Sequence, residues 1–242
     1  VKYSEERIEF IFKVAERYAL AIPYQDNMLT PYMFHSGNYG VGKDMKPIVV
    51  GEDDYEAFVK ERVELITESC WKSDNPISSL FGYILKQYRI PFLDLIKDKI
   101  DVEDFSKILA WIWVQDEYPH QNGIPRLINM FNRANKFDLM TEGEMEGYVA
   151  LPIEFVVYRG TQLGRAKVRG LSWTLDYEKA KWFADRFSGG GSVYKARIKK
   201  SAVYALFTGR GEEEVVLNPR KLLEVNVVYK GKKKKEDGNE SV

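Results

Sequence analysis

Phe155-Val156-Val157-Tyr158-Arg159-Gly160, Gly170-Leu171-Ser172-Trp173-Thr174 and Gly211-Glu212-Glu213-Glu214-Val215-Val216-Leu217 are short runs rich in β-branched, aromatic and alternating residues. That is the pattern of strands rather than helices. Further runs at Ser192–Ile198, Ala202–Phe207 and Leu223–Tyr229 continue it. One helix is predicted among them, over Tyr177–Phe187, with Ala180, Phe183, Ala184 and Phe187 on one side. A lone helix among several strands does not fit a βαβ chain and predicts an antiparallel α+β unit.

Upstream the grammar differs. From Ser4, residues Ile8, Ile11, Phe12, Ala15 and Ala19 recur at helical spacing, with Ser4 placed as N-cap and Glu5 and Glu6 in the first turn. Pro23 stops this helix, and the stretch to about Gly51 reads as irregular. Asp53-Asp54 opens a second helix, and helical runs follow at Ser78–Tyr88, Pro91–Lys99, Val102–Val114 and Ile124–Asn135. The change of pattern near Gly147 predicts a mainly α-helical segment over residues 1–146, a β core over 147–229 and a disordered basic tail over 230–242.

Lys+Arg and Asp+Glu both number 36, so the whole chain is neutral and composition predicts neither a nucleic-acid coat nor a membrane-surface protein. The charge is nevertheless segregated, with 17 basic and 25 acidic residues up to Ala150 and 19 and 11 after it. No run approaches the roughly 18 apolar residues of a membrane span, and the first residues are unlike a signal peptide. One cysteine, Cys70, and two histidines, His35 and His120, allow neither an intrachain disulfide nor a zinc site of standard spacing. No metal and a reducing, cytoplasmic setting are the expectations, with delivery into a host cell left open.

Several features are set aside on physical grounds. Gly37–Lys43 matches the opening of a P-loop, but Asp44 stands where a Ser or Thr should hold magnesium, and neither a preceding strand nor a following helix is predicted. His35 and His120 lie in Pro- or Gly-containing breaks without evident partners, and Cys70 beside Trp71 reads as a small core residue. Trp111–Tyr118 could form a ligand cage, but at the end of an apolar helix core packing is the simpler reading.

The three opening segments carry unusual polar chemistry. Arg159 ends an apolar strand, where its guanidinium fork suits an anionic ligand, and Gly160 would let that ligand approach the backbone. Ser172 and Thr174 alternate, so both hydroxyls share one face while Trp173 takes the other. Glu212 and Glu214 alternate likewise, with Glu213 pointing away. Two carboxylates on one face repel unless a site uses them; the alternative is a solvated acidic turn.

In the order Arg, Ser-x-Thr, Glu-x-Glu, these segments resemble the mono-ADP-ribosyltransferases of the Arg–Ser–Glu class, which includes clostridial binary-toxin enzymatic subunits and vertebrate arginine-specific transferases. The resemblance covers about Phe155–Tyr229 and implies a two-sheet β core that binds NAD. It implies that Arg159 anchors NAD through phosphate and ribose contacts and that the backbone of Gly160 holds the nicotinamide amide. Ser172 would orient the catalytic glutamate. Thr174 departs from the family's Ser-Thr-Ser pattern, with Trp173 in the middle. Phe183 matches an aromatic that stacks on nicotinamide, with core packing against Ala180 and Phe187 as the alternative, and Arg186 matches a further phosphate-binding arginine.

By the same resemblance Glu214 is the catalytic glutamate, bonding the ribose 2′-hydroxyl and stabilising positive charge at the anomeric carbon, while Glu212 faces the incoming nucleophile. Glutamate rather than glutamine at the first position goes with arginine acceptors in that family, and Phe207–Gly211 would be the target-recognition turn. The implied activity is transfer of ADP-ribose from NAD, consumed as a substrate, to a macromolecule, most simply a protein arginine, in a toxin, effector or phage-type enzyme. Two other functions stay open: modification of a nucleic-acid base, and a non-catalytic binding module. Residues 1–146 would then serve recognition, self-inhibition or an antitoxin, chaperone or regulatory partner.

Overall fold

The computed structural model describes residues 2–20, 52–115, 119–162, 168–186, 190–209 and 213–231. Its two compact units divide between Pro119 and His120. Among the described residues no helix is long and apolar enough to cross a membrane.

The first unit is helical. Helices α1 (Glu5–Ala15), α2 (Glu52–Trp71), α3 (Pro76–Tyr83), α4 (Lys86–Ile96) and α5 (Val102–Gln115) follow in order, α1 running on into a π-helical turn over Glu16–Leu20. The Ser4 hydroxyl caps α1 by accepting the Arg7 N–H, and Ile8, Ile11, Phe12 and Ala15 are buried as their spacing requires. The helix expected over Ser78–Tyr88 divides into two. Asn75 caps α3 and Pro76 suits its first position, whereas Ile84 and Leu85 are extended and end it. Pro91 lies within α4 rather than opening a helix, and burial of Ile90, Phe92, Leu93 and Ile96 offsets the lost N–H bond.

Trp113 is buried, but Trp111 is exposed with the Arg89 guanidinium 4.6 Å above its ring, so only one of the two tryptophans is core. Cys70 is buried, which pushes its thiol pKa up to about 11 and makes it a poor nucleophile. The region 21–51, with His35 and the P-loop-like segment, lies outside the described residues, as does the side chain of His120.

Residues 2 and 3 are tied to α5. Lys2 Nζ lies 2.9 Å from Asp101, 2.9 Å from Glu103 and 3.3 Å from Asp104, and the Tyr3 hydroxyl donates to Asp104 at 2.6 Å. Burial alone would raise the Asp101 pKa, but the Asp104 N–H and the Lys2 ammonium outweigh it and hold this carboxyl below its ordinary value. Glu103 is held low by Lys107 and Lys2. The unfolded chain therefore binds protons that the folded chain refuses, and stability from these groups is present above about pH 4 and lost as pH falls through their folded values. Lys2→Met is expected to lower Tm at neutral pH, with the difference from the parent shrinking in acid. A difference that does not shrink at any acid pH at which both proteins remain folded contradicts the assignment.

The second unit holds helices α6 (Ile124–Arg133), α7 (Lys136–Leu139) and α8 (Glu142–Ala150), then β1 (Glu154–Thr161), β2 (Ser172–Thr174), α9 (Tyr177–Asp185), β3 (Ser192–Lys199), β4 (Val203–Phe207), β5 (Glu214–Leu217) and β6 (Leu223–Lys230). Composition put the border at 146/147, but helices α6–α8 fold with the sheet. Every residue of β4 is buried, and these helices supply its cover: Phe131 stacks on Tyr204 at 5.4 Å, Asn132 accepts the Tyr204 hydroxyl, and Met140 sulfur meets the Leu206 N–H. β6 runs to Lys230, so the expected tail gives up its first residue to the sheet, and 232–242 lie outside the described residues.

The strands pair antiparallel throughout, as predicted, but in one six-stranded sheet of order β4-β5-β2-β1-β3-β6 rather than two sheets. The join is narrow. β1 and β3 pair along eight residues, whereas β1 and β2 meet at the single pair Tyr158↔Thr174. The sheet is continuous through that pair and parts beside it.

Helix α9 packs on β1 and β3 through Ala180 and Ala184, which bury with Val193 beneath Tyr158, Tyr177 and Tyr229. Asp176 caps it by accepting the N–H groups of Glu178 and Lys179. Gly160 is the reason the helix can come so close: a side chain there would overlap the Ala180 carbonyl and stand 2.8 Å from the Ala184 nitrogen. Gly160→Ala is expected to cost at least about 1–3 kcal/mol, measured by urea unfolding, because backbone rather than a flexible side chain must yield. A change within about 0.5 kcal/mol contradicts this packing.

Candidate active site

The parting of β1 and β2 is built from alternation. The Leu171 carbonyl accepts the Leu217 N–H and the Leu175 N–H donates to the Glu213 carbonyl, so those residues turn their backbone toward β5. Ser172 and Thr174, in between, turn theirs toward β1. Thr174 finds Tyr158 there, but at Ser172 the ladder has ended. Arg159 fills the gap: its Nη1 donates to the Ser172 carbonyl.

The guanidinium lies against Gly170, where a Cβ would stand 2.5 Å from Nη2. It is enclosed, and its Nε–H is buried with no hydrogen-bond partner among the described residues. Burial pushes the Arg159 pKa down to about 10, while the negative charge of Glu214 pulls it back up. Arg159 therefore remains a cation at neutral pH, with one buried donor unused. An orphaned charged donor costs free energy unless a ligand completes it.

Glu214 opens β5, half-buried, opposite Thr174 on one side and Phe207 on the other. Ser172 sits opposite Val216, on the same face as Glu214 and diagonal to it. The Ser172 hydroxyl makes no hydrogen bond among the described residues, and it is half-buried. Thr174 is buried and its hydroxyl accepts the Asp176 N–H, so it shapes the turn into α9. Trp173 takes the other face, buried, with its indole N–H on the Gly170 carbonyl. Glu213 is exposed, as its alternation with Glu214 predicts; Glu212, Arg210 and Gly211 lie outside the described residues.

Phe183 is half-buried, its Cβ next to Gly160 and its ring edge-on to Trp182 at 5.0 Å. The absent side chain of Gly160 thus makes room for α9. Arg186 is exposed at the end of α9, 5.2 Å above the Trp182 ring. At the parting of the strands Arg159 meets the Ser172 carbonyl and feels the charge of Glu214, which pairs opposite Thr174, and Phe183 stands on α9 beside Gly160.

Two contributors escaped the sequence reading. Gly170 seats the guanidinium, which no local pattern announces. Glu144 is a buried carboxylate whose Oε2 accepts from Thr141 and whose Oε1 accepts the Thr208 N–H at 2.9 Å. Its signal was present as Thr141-Glu142-Gly143-Glu144, the spacing of a capping box. Among the described residues no group of three or more His, Cys, Asp or Glu side chains is placed to hold a metal ion.

Compared with models of known families, with curated proteins and with solved structures, the chain has no significant match.

Proposed function

We propose that this chain is an NAD-dependent mono-ADP-ribosyltransferase that moves ADP-ribose from NAD to a macromolecular acceptor, most simply a protein arginine, in a reducing cytoplasmic setting. The observation that carries the reading is the buried Arg159 guanidinium, short of one partner, at a gap in the sheet that also holds a hydroxyl and a carboxylate. A fixed fork with a donor to spare fits a pyrophosphate, and NAD supplies one beside a cationic leaving group.

In this mechanism Arg159 holds the pyrophosphate and fixes the register of NAD in the gap. Ser172, with its hydroxyl uncommitted, donates toward the substrate or toward Glu214. Glu214 accepts a hydrogen bond from the nicotinamide-ribose 2′-hydroxyl and offsets positive charge at C1′ as the C1′–N bond breaks and neutral nicotinamide departs. The acceptor's lone pair forms the new bond to C1′ and its proton passes to Glu212. Phe183 offers a ring to the nicotinamide, Gly160 its backbone to the carboxamide, and Thr174 and Arg186 support the pocket and the phosphate. The helical segment 1–146 serves acceptor recognition or a regulatory partner such as an antitoxin.

The test is incubation of the purified protein with adenine-labelled NAD and a whole-cell lysate, followed by protease or nuclease. Protease-sensitive label is the expected result. Nuclease-sensitive label replaces the acceptor class with nucleic acid, a reading favoured by the basic excess after Ala150. No label and no free nicotinamide contradict the transferase and favour a binding module.

A further inference from the structure

We infer that strand β6 is a self-association surface, on which a second copy of this chain pairs antiparallel, β6 against β6. The sheet order leaves two edges, β4 and β6. β4 is buried along its whole length under the cover of α6–α8, whereas every residue of β6 except Tyr229 is exposed. Among the described residues no strand lies beside the outer edge of β6. Backbone N–H and C=O groups turned to such an edge are a template for a further strand.

The side chains favour pairing over solvent. An edge kept apart from other chains carries lysines or prolines along its length. β6 instead carries exposed Leu223, Val225, Val227 and Val228, and its charges stand only near its ends, Glu224 at the start and Lys230 at the finish. Those ends choose the partner. An antiparallel copy brings the acidic end of each strand to the basic end of the other, twice over, whereas a parallel copy sets like charges together. Glu224 Oε1 already lies 3.1 Å from Arg197 Nη2, but Lys230 makes no ion pair among the described residues, so each Lys230 has a carboxylate to gain.

Symmetry sets the size of the assembly. The pairing of β6 with β3 slips between Val193 and Tyr194 and again between Lys195 and Arg197, and between the slips Asn226 and Val227 oppose Lys195 and Tyr194 in step. Val227 therefore lies in the regular middle of the strand, where the two-fold axis of an antiparallel pair falls. Copies related by that axis present the same strand to each other, and with β4 covered neither has a second edge to offer. The assembly closes at two.

The experiment is sedimentation velocity of the chain from about one micromolar to a few hundred micromolar. It compares the parent, Val227→Lys, Glu224→Lys, Lys230→Glu and the double reversal Glu224→Lys with Lys230→Glu, each checked for folding by circular dichroism. The parent is expected to pass from the 28.1 kDa monomer to a dimer and no further. Val227→Lys and each single reversal are expected to raise the dimer Kd about tenfold or more, and the double reversal to return it to within about threefold of the parent. The reversals sit at exposed strand ends, so they decide the matter even where Val227→Lys does not fold. A parent that stays monomeric overturns the inference and leaves the edge to another partner. A dimer that Val227→Lys leaves intact, assembly beyond two, or a double reversal no tighter than either single one overturns it as well.

Discussion

Glu214→Ala is expected to lower nicotinamide release from saturating NAD about a thousandfold, a loss of about 4 kcal/mol of transition-state stabilisation. The size follows from placement. Glu214 is half-buried at the start of β5, fixed by pairing on both sides with Thr174 and Phe207, and close enough to Arg159 to shift its pKa. A carboxylate held this way offsets charge at C1′ without reorganising, which a water molecule in its place cannot do. Glu214→Gln, which keeps shape and loses charge, should fall nearly as far, whereas the affinity for NAD should change little in either variant. Steady-state nicotinamide release by chromatography makes the measurement; turnover within tenfold of the parent removes Glu214 from the mechanism.

The second large effect is on binding. Arg159→Lys is expected to weaken NAD binding by about 2–4 kcal/mol, roughly 30- to 1000-fold in Kd by calorimetry, because an ammonium has no fork with which to hold both the Ser172 carbonyl and a pyrophosphate. Gly170→Ala should reproduce part of this loss without touching any reacting group. Its Cβ would stand 2.5 Å from Arg159 Nη2 and 2.6 Å from Cζ, so the guanidinium must leave its seat. A Gly170→Ala protein that is folded and binds NAD as tightly as the parent shows that the anion is held elsewhere.

Strand and helix positions in the second unit were legible because they are local. β5 ends at Leu217, where the run Gly211–Leu217 does, and α9 begins at Tyr177 because Asp176 caps it. What was not legible is non-local. Nothing within Ser172-Trp173-Thr174 shows that it will meet β1 at one residue pair, yet that pair makes a single sheet of what the resemblance implied as two.

The border between the units was misplaced for a related reason. The change of pattern at Gly147 marks where strands begin, whereas the units divide by what packs together, and β4 needs α6–α8 as cover. Helix α8 was missed because its only buried side chain is a glutamate, which no apolar period can reveal. At the site, the residue types of Arg159, Ser172 and Glu214 stood out in sequence, but the causes did not. That α9 lies against Gly160 is not visible in its neighbours, and Gly170 becomes significant only when a side chain eleven positions earlier in the chain folds over it.

The proposed activity requires this chain to break the bond between nicotinamide and ribose. Its most direct test is the quantity of nicotinamide released from millimolar NAD by the purified parent chain, with Glu214→Ala alongside. Many molecules released per protein, dependent on Glu214, are the expected result. Release no faster than in buffer, with lysate present or absent, contradicts it.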